Sequence, residues 1–266
     1  NGMTAAEAAM WADTFITKDY SNIVKDVGWA QLIKKGANYQ AVWMYVLYEL
    51  DKAVYYCYMG DILSHDNTPT GGAPHAWDEA WAFYAGSRVG QTMAQAVTDD
   101  GTLLWELAEK RGDDFKTDDA TGPSSVNIKL LAKFNEGRDR IIAGQCAEAE
   151  PVVDNIIKQM SIPLIQGTLK YAFKADPASS AGDCAADAGK TAMTASDGCV
   201  KSWAEGWAFA AAVLPQIYLC STAAATTVKT ALDIAATGPV AGGFDAVKTA
   251  IEMTYPCLGI TCADVG

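Results

Sequence analysis

Trp77-Asp78-Glu79-Ala80-Trp81-Ala82-Phe83 returns later in the chain as Trp203-Ala204-Glu205-Gly206-Trp207-Ala208-Phe209. The shared pattern is W-x-E-[A/G]-W-A-F, and it holds four of the eight tryptophans. Two Trp, a Glu, an Ala and a Phe in one order twice point to a duplicated unit. Helical spacing puts the two Trp of each copy on adjoining turns, so each copy reads as a helix with an aromatic core face. The copies differ on one side. His75 and Asp78 accompany the first, whereas Lys201 and Ala204 stand at the matching positions of the second. That asymmetry predicts a metal site confined to one half.

Working outward, the signal is helical nearly throughout, and no alternating pair of segments is joined by a hairpin turn. Thr4 and Glu7 form a capping box ahead of a helix over 4–18. Further helices are expected over 38–62, 75–95, 101–116, 126–147, 150–175, 198–221, 222–236 and 242–255, with loops over 64–74 and 176–197. A bend is expected near Pro215. The polar stretch from Asp118 to Ser125 reads as a linker. The expected architecture is all-α: two tandem, duplicated, four-helix-bundle-like halves stapled by disulfides, with residues 1–120 carrying the His/Glu motif and 121–266 the degenerate repeat. The segment Tyr56–Asp61 resembles Tyr171–Asp176, in keeping with duplication.

A chain of 266 residues, 50% hydrophobic and 20% charged, can bury a sizeable core. Its net charge of -12 argues against nucleic acid, which needs clustered Lys and Arg. No stretch is apolar enough to cross a membrane. The opening residues carry no signal sequence, the expectation for a mature secreted chain. Seven cysteines without zinc-ribbon spacing point to disulfides and an oxidising compartment. Cys184–Cys199 and Cys257–Cys262 are the expected closed loops, Cys146–Cys220 a third pairing, and Cys57 a buried free thiol.

His75, Asp78 and Glu79 lie three and four residues apart and share a helix face. Imidazole with carboxylate suits iron, or alternatively zinc or manganese. One helix cannot complete such a site. Glu49, in an aromatic and aliphatic helix, is the candidate cross-helix ligand, with Lys52 the competing partner for a buried carboxylate. Glu205, Asp13 and Glu7 are weaker candidates. Against this stands a structural reading in which Glu79 and Glu205 accept hydrogen bonds from Trp indoles or backbone, and Glu205 pairs with Lys201. The Trp and Phe residues read as core, and His65 as solvated. No nucleophile elbow, phosphate loop, dinucleotide fingerprint or H-E-x-x-H motif is present, so nothing indicates an enzyme.

The block Trp77–Ser87, followed by Gly101–Arg111 and Phe115, resembles the algal iron-assimilation proteins, also described as high-carbon-dioxide-inducible periplasmic proteins. The resemblance implies a secreted protein, in the periplasmic space or at the cell surface, that helps deliver iron. Its partners would be the metal ion and a cell-surface transporter or receptor. Gly72-Ala73-Pro74-His75-Ala76-Trp77-Asp78 is also similar, with one extra residue and Asp for Glu, to the G-x-H-x-x-E motif of the imelysin-type periplasmic proteins. The expected function is iron capture or presentation. The alternatives are an extracellular interaction or structural protein, and a metal-dependent hydrolase.

Overall fold

The computed structural model describes residues 11–62, 71–86, 92, 101–120 and 122–266. Among these there is no strand; the sole bridge is an isolated pairing of Asp118 with Ser124. The helices are α1 (Trp11–Thr17), α2 (Asp26–Gly36), a π-helical stretch (Ala37–Val42), α3 (Trp43–Tyr58), α4 (Gly72–Ala85), α5 (Leu103–Phe115) and α6 (Ser125–Ile142). They continue with α7 (Cys146–Ala175), α8 (Asp197–Cys220), α9 (Thr222–Leu232), α10 (Phe244–Glu252), α11 (Tyr255–Leu258) and α12 (Cys262–Val265). The all-α expectation holds. The sequence reading passed over α2, and the capping box at Thr4 and Glu7 lies outside the described residues.

Local chemistry sets the boundaries. Ser124, Ser196 and Ser221 each accept a hydrogen bond from the backbone N–H three residues on, satisfying a donor that the first turn leaves orphaned. Gly71, at φ 68°, leads into α4, and Pro74 sits in its first turn, where no N–H is needed. Gly86, at φ 80°, ends α4 well short of residue 95, because that backbone cannot continue a right-handed helix.

The chain packs as two compact units. One joins residues up to Gln40 with Leu164–Val265; the other is Ala41–Pro163 with Gly266. These units are not the sequence halves. Residues 11–40 pack with the second motif, and the polar stretch at 118–125 connects α5 to α6 inside one unit.

Each motif helix is the hub of its unit. In the Ala41–Pro163 unit, α4 packs on α3, α5 and α6. In the other, α8 packs on α1, α2, α9 and α11. Trp77, Trp81, Trp203 and Trp207 are all buried. Their burial, with Trp43, Trp105, Phe134 and Phe209, supplies much of the apolar drive. Backbones come close where side chains are missing. A Cβ on Gly28 would stand 2.7 Å from Val200 Cγ1, so only glycine lets α2 approach α8. Gly137 on α6 does the same beneath the Trp77 ring.

The disulfides pair Cys57 with Cys146, Cys184 with Cys199, and Cys220 with Cys257; Cys262 is free and exposed. Only Cys184–Cys199 matches the sequence expectation. Cys57 lies on the buried face of α3, where packing brings it to Cys146 at the start of α7. Cys220 ends α8, where α11 presents Cys257, so neither Cys146–Cys220 nor Cys257–Cys262 forms. Nearness in space, not in sequence, decides two of the three bridges.

Candidate functional site

The buried face of α3 is Trp43, Val46, Glu49, Leu50, Ala53 and Cys57. Glu49 therefore points inward by helical phase alone, and it is fully buried. A carboxylate in that position needs compensation. Lys52, one turn on, donates from Nζ to Glu49 Oε2 at 2.9 Å. The same Nζ stands 3.6 Å from Glu79 Oε2 on α4. His75 Nε2 lies 3.4 Å from Glu79 Oε1, one turn earlier on α4. The structure thus sets Glu49 and Glu79 against one ammonium group, with His75 beside Glu79.

Aromatic side chains frame that cluster. The Lys52 ammonium lies 5.8 Å from the centre of the Tyr48 ring and 6.0 Å from that of Tyr56, within cation–π range. Tyr45 packs against Phe83 of α4 with ring centres 4.4 Å apart and planes tilted by 60°. A hydrogen bond to Glu49 pushes the Tyr45 phenol above its ordinary value, with burial and the Glu49 charge adding to it. Burial works against the Lys52 charge, yet the bond to Glu49 and the fields of Glu49 and Glu79 outweigh it, so its ammonium is held above the usual range. Glu49 Oε1 is buried and receives no hydrogen bond of good geometry. Two carboxylates against one ammonium leave one negative charge uncompensated when His75 is neutral.

The second copy of the motif is built alike but charge-balanced. Glu205 meets Lys35 of α2 at 3.9 Å, rather than the expected Lys201, which is exposed. Lys35 stands 5.4 Å over the Tyr39 ring four residues on. Lys52 and Tyr56 have the same spacing. In this register Leu32, a buried apolar residue, holds the place that Glu49 holds beside Lys52. The K-x-x-x-Y spacing was present in the sequence, and it would have paired α2 with α3. Two of the motif indoles bond elsewhere than to the motif Glu: Trp77 donates to the Phe134 carbonyl at 2.8 Å and Trp203 to the Leu232 carbonyl at 3.0 Å.

Asp78 is exposed and turns the other way, into a cleft between α4 and α6. It does not join Glu49 and Glu79. Asp13 is exposed on α1, in the unit that does not hold His75, and Glu205 is buried in that unit too. Glu7 and His65 lie outside the described residues. Among the described residues, no three His, Cys, Asp or Glu side chains are grouped closely enough to hold a metal ion. Lys52 occupies the position between the carboxylates.

The chain belongs to the Fea1 family of low iron-inducible periplasmic proteins, whose model matches residues 7–266. Curated proteins offer no match, and neither do solved structures. Among the described residues no helix is long and apolar enough to cross a membrane, in keeping with a periplasmic family.

Proposed function

We propose that this member of the low iron-inducible periplasmic family captures iron for uptake at the cluster formed by Glu49, Glu79 and His75. The observation that carries this is the contrast between the two motif helices. Where the second has a neutral Lys35–Glu205 pair beside Leu32, the first adds the buried Glu49 and His75. A second buried carboxylate is costly, and the Lys35–Glu205 pair of the other copy is built with one carboxylate rather than two. We read the two copies as a duplication in which one kept a binding role and the other a scaffolding role.

In this reading Lys52 is the resident cation. An incoming iron ion displaces its ammonium, which sits on a flexible stem already partly exposed to solvent. Closing Glu49, Glu79 and His75 onto the ion would supply two carboxylates and an imidazole, donors suited to iron and also to zinc or manganese. Asp78 takes no part as a ligand.

The test is metal analysis of the purified protein, with iron and zinc titrations of wild type, His75→Ala and Glu79→Gln. About one metal per chain, weakened at least tenfold in each variant, is the expected result. Stoichiometric binding unchanged in both variants refutes the site.

A second reading, docking to a transporter or receptor, has one observation of its own. Met44, Tyr48, Tyr55 and Met59 expose 46–64% of their surface along one side of α3. Exposed aromatic and Met side chains are typical of interaction surfaces. The two readings are compatible in a protein that presents iron to a carrier.

A further inference from the structure

Beneath Asp78 lies a cleft of about 280 Å³, lined from α4 by Pro74, His75, Trp77, Asp78 and Trp81, and from α6 by Leu131, Phe134, Asn135, Arg138 and Ile142. Its floor is held rigidly. Trp77 is fixed by its bond to the Phe134 carbonyl and by Gly137, whose missing side chain makes room for the indole. Trp81 packs edge-on against Phe134 at 5.1 Å and against Trp105 at 5.9 Å. Tyr84 anchors the same layer through a 2.5 Å hydrogen bond to Asn127. A floor so constrained is preformed, which spares a ligand the cost of ordering it.

The polar groups stand in two opposed pairs. His75 and Asp78 are one turn apart on α4; Asn135 and Arg138 are one turn apart on α6. One wall therefore offers a carboxylate and an imidazole, and the other an amide and a guanidinium. Arg138 also donates through Nε and Nη2 to Asp139 Oδ1, which orients the guanidinium. An apolar pocket with a few convergent polar groups is the usual form of a small-molecule site. Its volume equals roughly nine waters, the size of a molecule of about ten heavy atoms.

We infer that this cleft binds a small zwitterion with an apolar body, of the α-amino-acid class. The apolar side chain lies on Trp77, Trp81 and Phe134. The carboxylate is taken by Arg138 and Asn135, for which a planar guanidinium is the favoured partner. The ammonium is taken by Asp78. The cleft and the iron cluster share His75, but Asp78 and Arg138 line the cleft, whereas Glu49, Glu79 and Lys52 gather on the α3 side of α4.

Calorimetric titration of the full chain tests this with L-phenylalanine and L-leucine as probes. Hydrocinnamate, which lacks the amine, and phenethylamine, which lacks the carboxylate, serve as single-charge comparisons. Saturable binding of at least one amino acid is expected, with both comparison compounds at least tenfold weaker. Asp78→Asn should weaken the amino acid about tenfold while sparing hydrocinnamate, and Arg138→Gln should weaken the amino acid likewise while sparing phenethylamine. Both positions are solvent-accessible, and circular dichroism checks that each variant is folded. Absence of saturable binding tighter than about 1 mM for both amino acids overturns the inference. So does binding that neither variant alters, or a stronger response to phenethylamine or hydrocinnamate than to the zwitterion.

Discussion

Replacing Lys52 with Met is the sharpest probe of the α3–α4 cluster. The substitution keeps an unbranched apolar stem and removes the charge alone. At an effective dielectric of about 20, unit charges at the observed 2.9 Å and 3.6 Å attract by about 6 and 5 kcal/mol. Those gross figures are offset by desolvation of the ammonium, and Glu79 is a third exposed, so its share is screened. What dominates is Glu49, left buried without its cation. Breaking a buried pair from one side costs about 3–5 kcal/mol, and proton uptake by the stranded carboxyl relieves part of it. A loss of about 3 kcal/mol is therefore expected for Lys52→Met in urea unfolding with the disulfides intact. The double variant Glu49→Leu/Lys52→Met should recover most of it, because Leu32 fills the matching place beside Lys35 in the second unit. If iron is cargo at this cluster, saturating iron should also restore stability to Lys52→Met more than to wild type, by mass action. A Lys52→Met variant within about 0.5 kcal/mol of wild type, with no coupling to Glu49, would refute the electrostatic account.

Two further outcomes follow from the same geometry. Trp203→Phe should cost more than Trp77→Phe, about 2–3 against about 1 kcal/mol by denaturant unfolding, because Leu232 ends α9 and its carbonyl has no intrahelical partner whereas Phe134 lies mid-helix; equal costs would contradict this. In the loop after α7, Asp187 is held down to about 2, from an ordinary 3.8, by the Ser196 hydroxyl first, then by Lys190 and the Ser196 N–H. A depressed carboxyl stabilises the fold above its unfolded value and ceases to do so as pH falls through the folded one. The stability gap between wild type and Asp187→Asn should accordingly be about 2 kcal/mol near neutrality, narrow below pH ~4, and close near pH ~2. A gap that is constant with pH would assign the effect to packing instead.

Much of this protein was legible before any coordinates. Helical phase and the absence of turn-linked alternating segments point to an all-helical fold, because these are local effects read over a few residues. The repeated W-x-E-[A/G]-W-A-F phrase marks both hub helices, since a large aromatic pair one turn apart has to be buried. Periodicity also puts Glu49 on the inner face of α3, and spacing puts His75 beside Glu79. The Cys184–Cys199 loop was readable from its spacing, whereas Cys257 and Cys262, closer still in sequence, do not pair.

The rest depended on which helices meet. Sequence leaves open which cation meets Glu49 and Glu79; tertiary packing brings α3 onto α4 and sets Lys52 between them. Asp78 and Glu79 are adjacent in sequence, yet about 100° of helical rotation sends one into the α6 cleft and the other to α3. Glu205 chooses Lys35 over Lys201 because α2 lies against α8, and Cys57 finds Cys146 because long-range packing closes that loop. Those outcomes belong to contacts between distant residues, and only the folded arrangement of the helices could decide them.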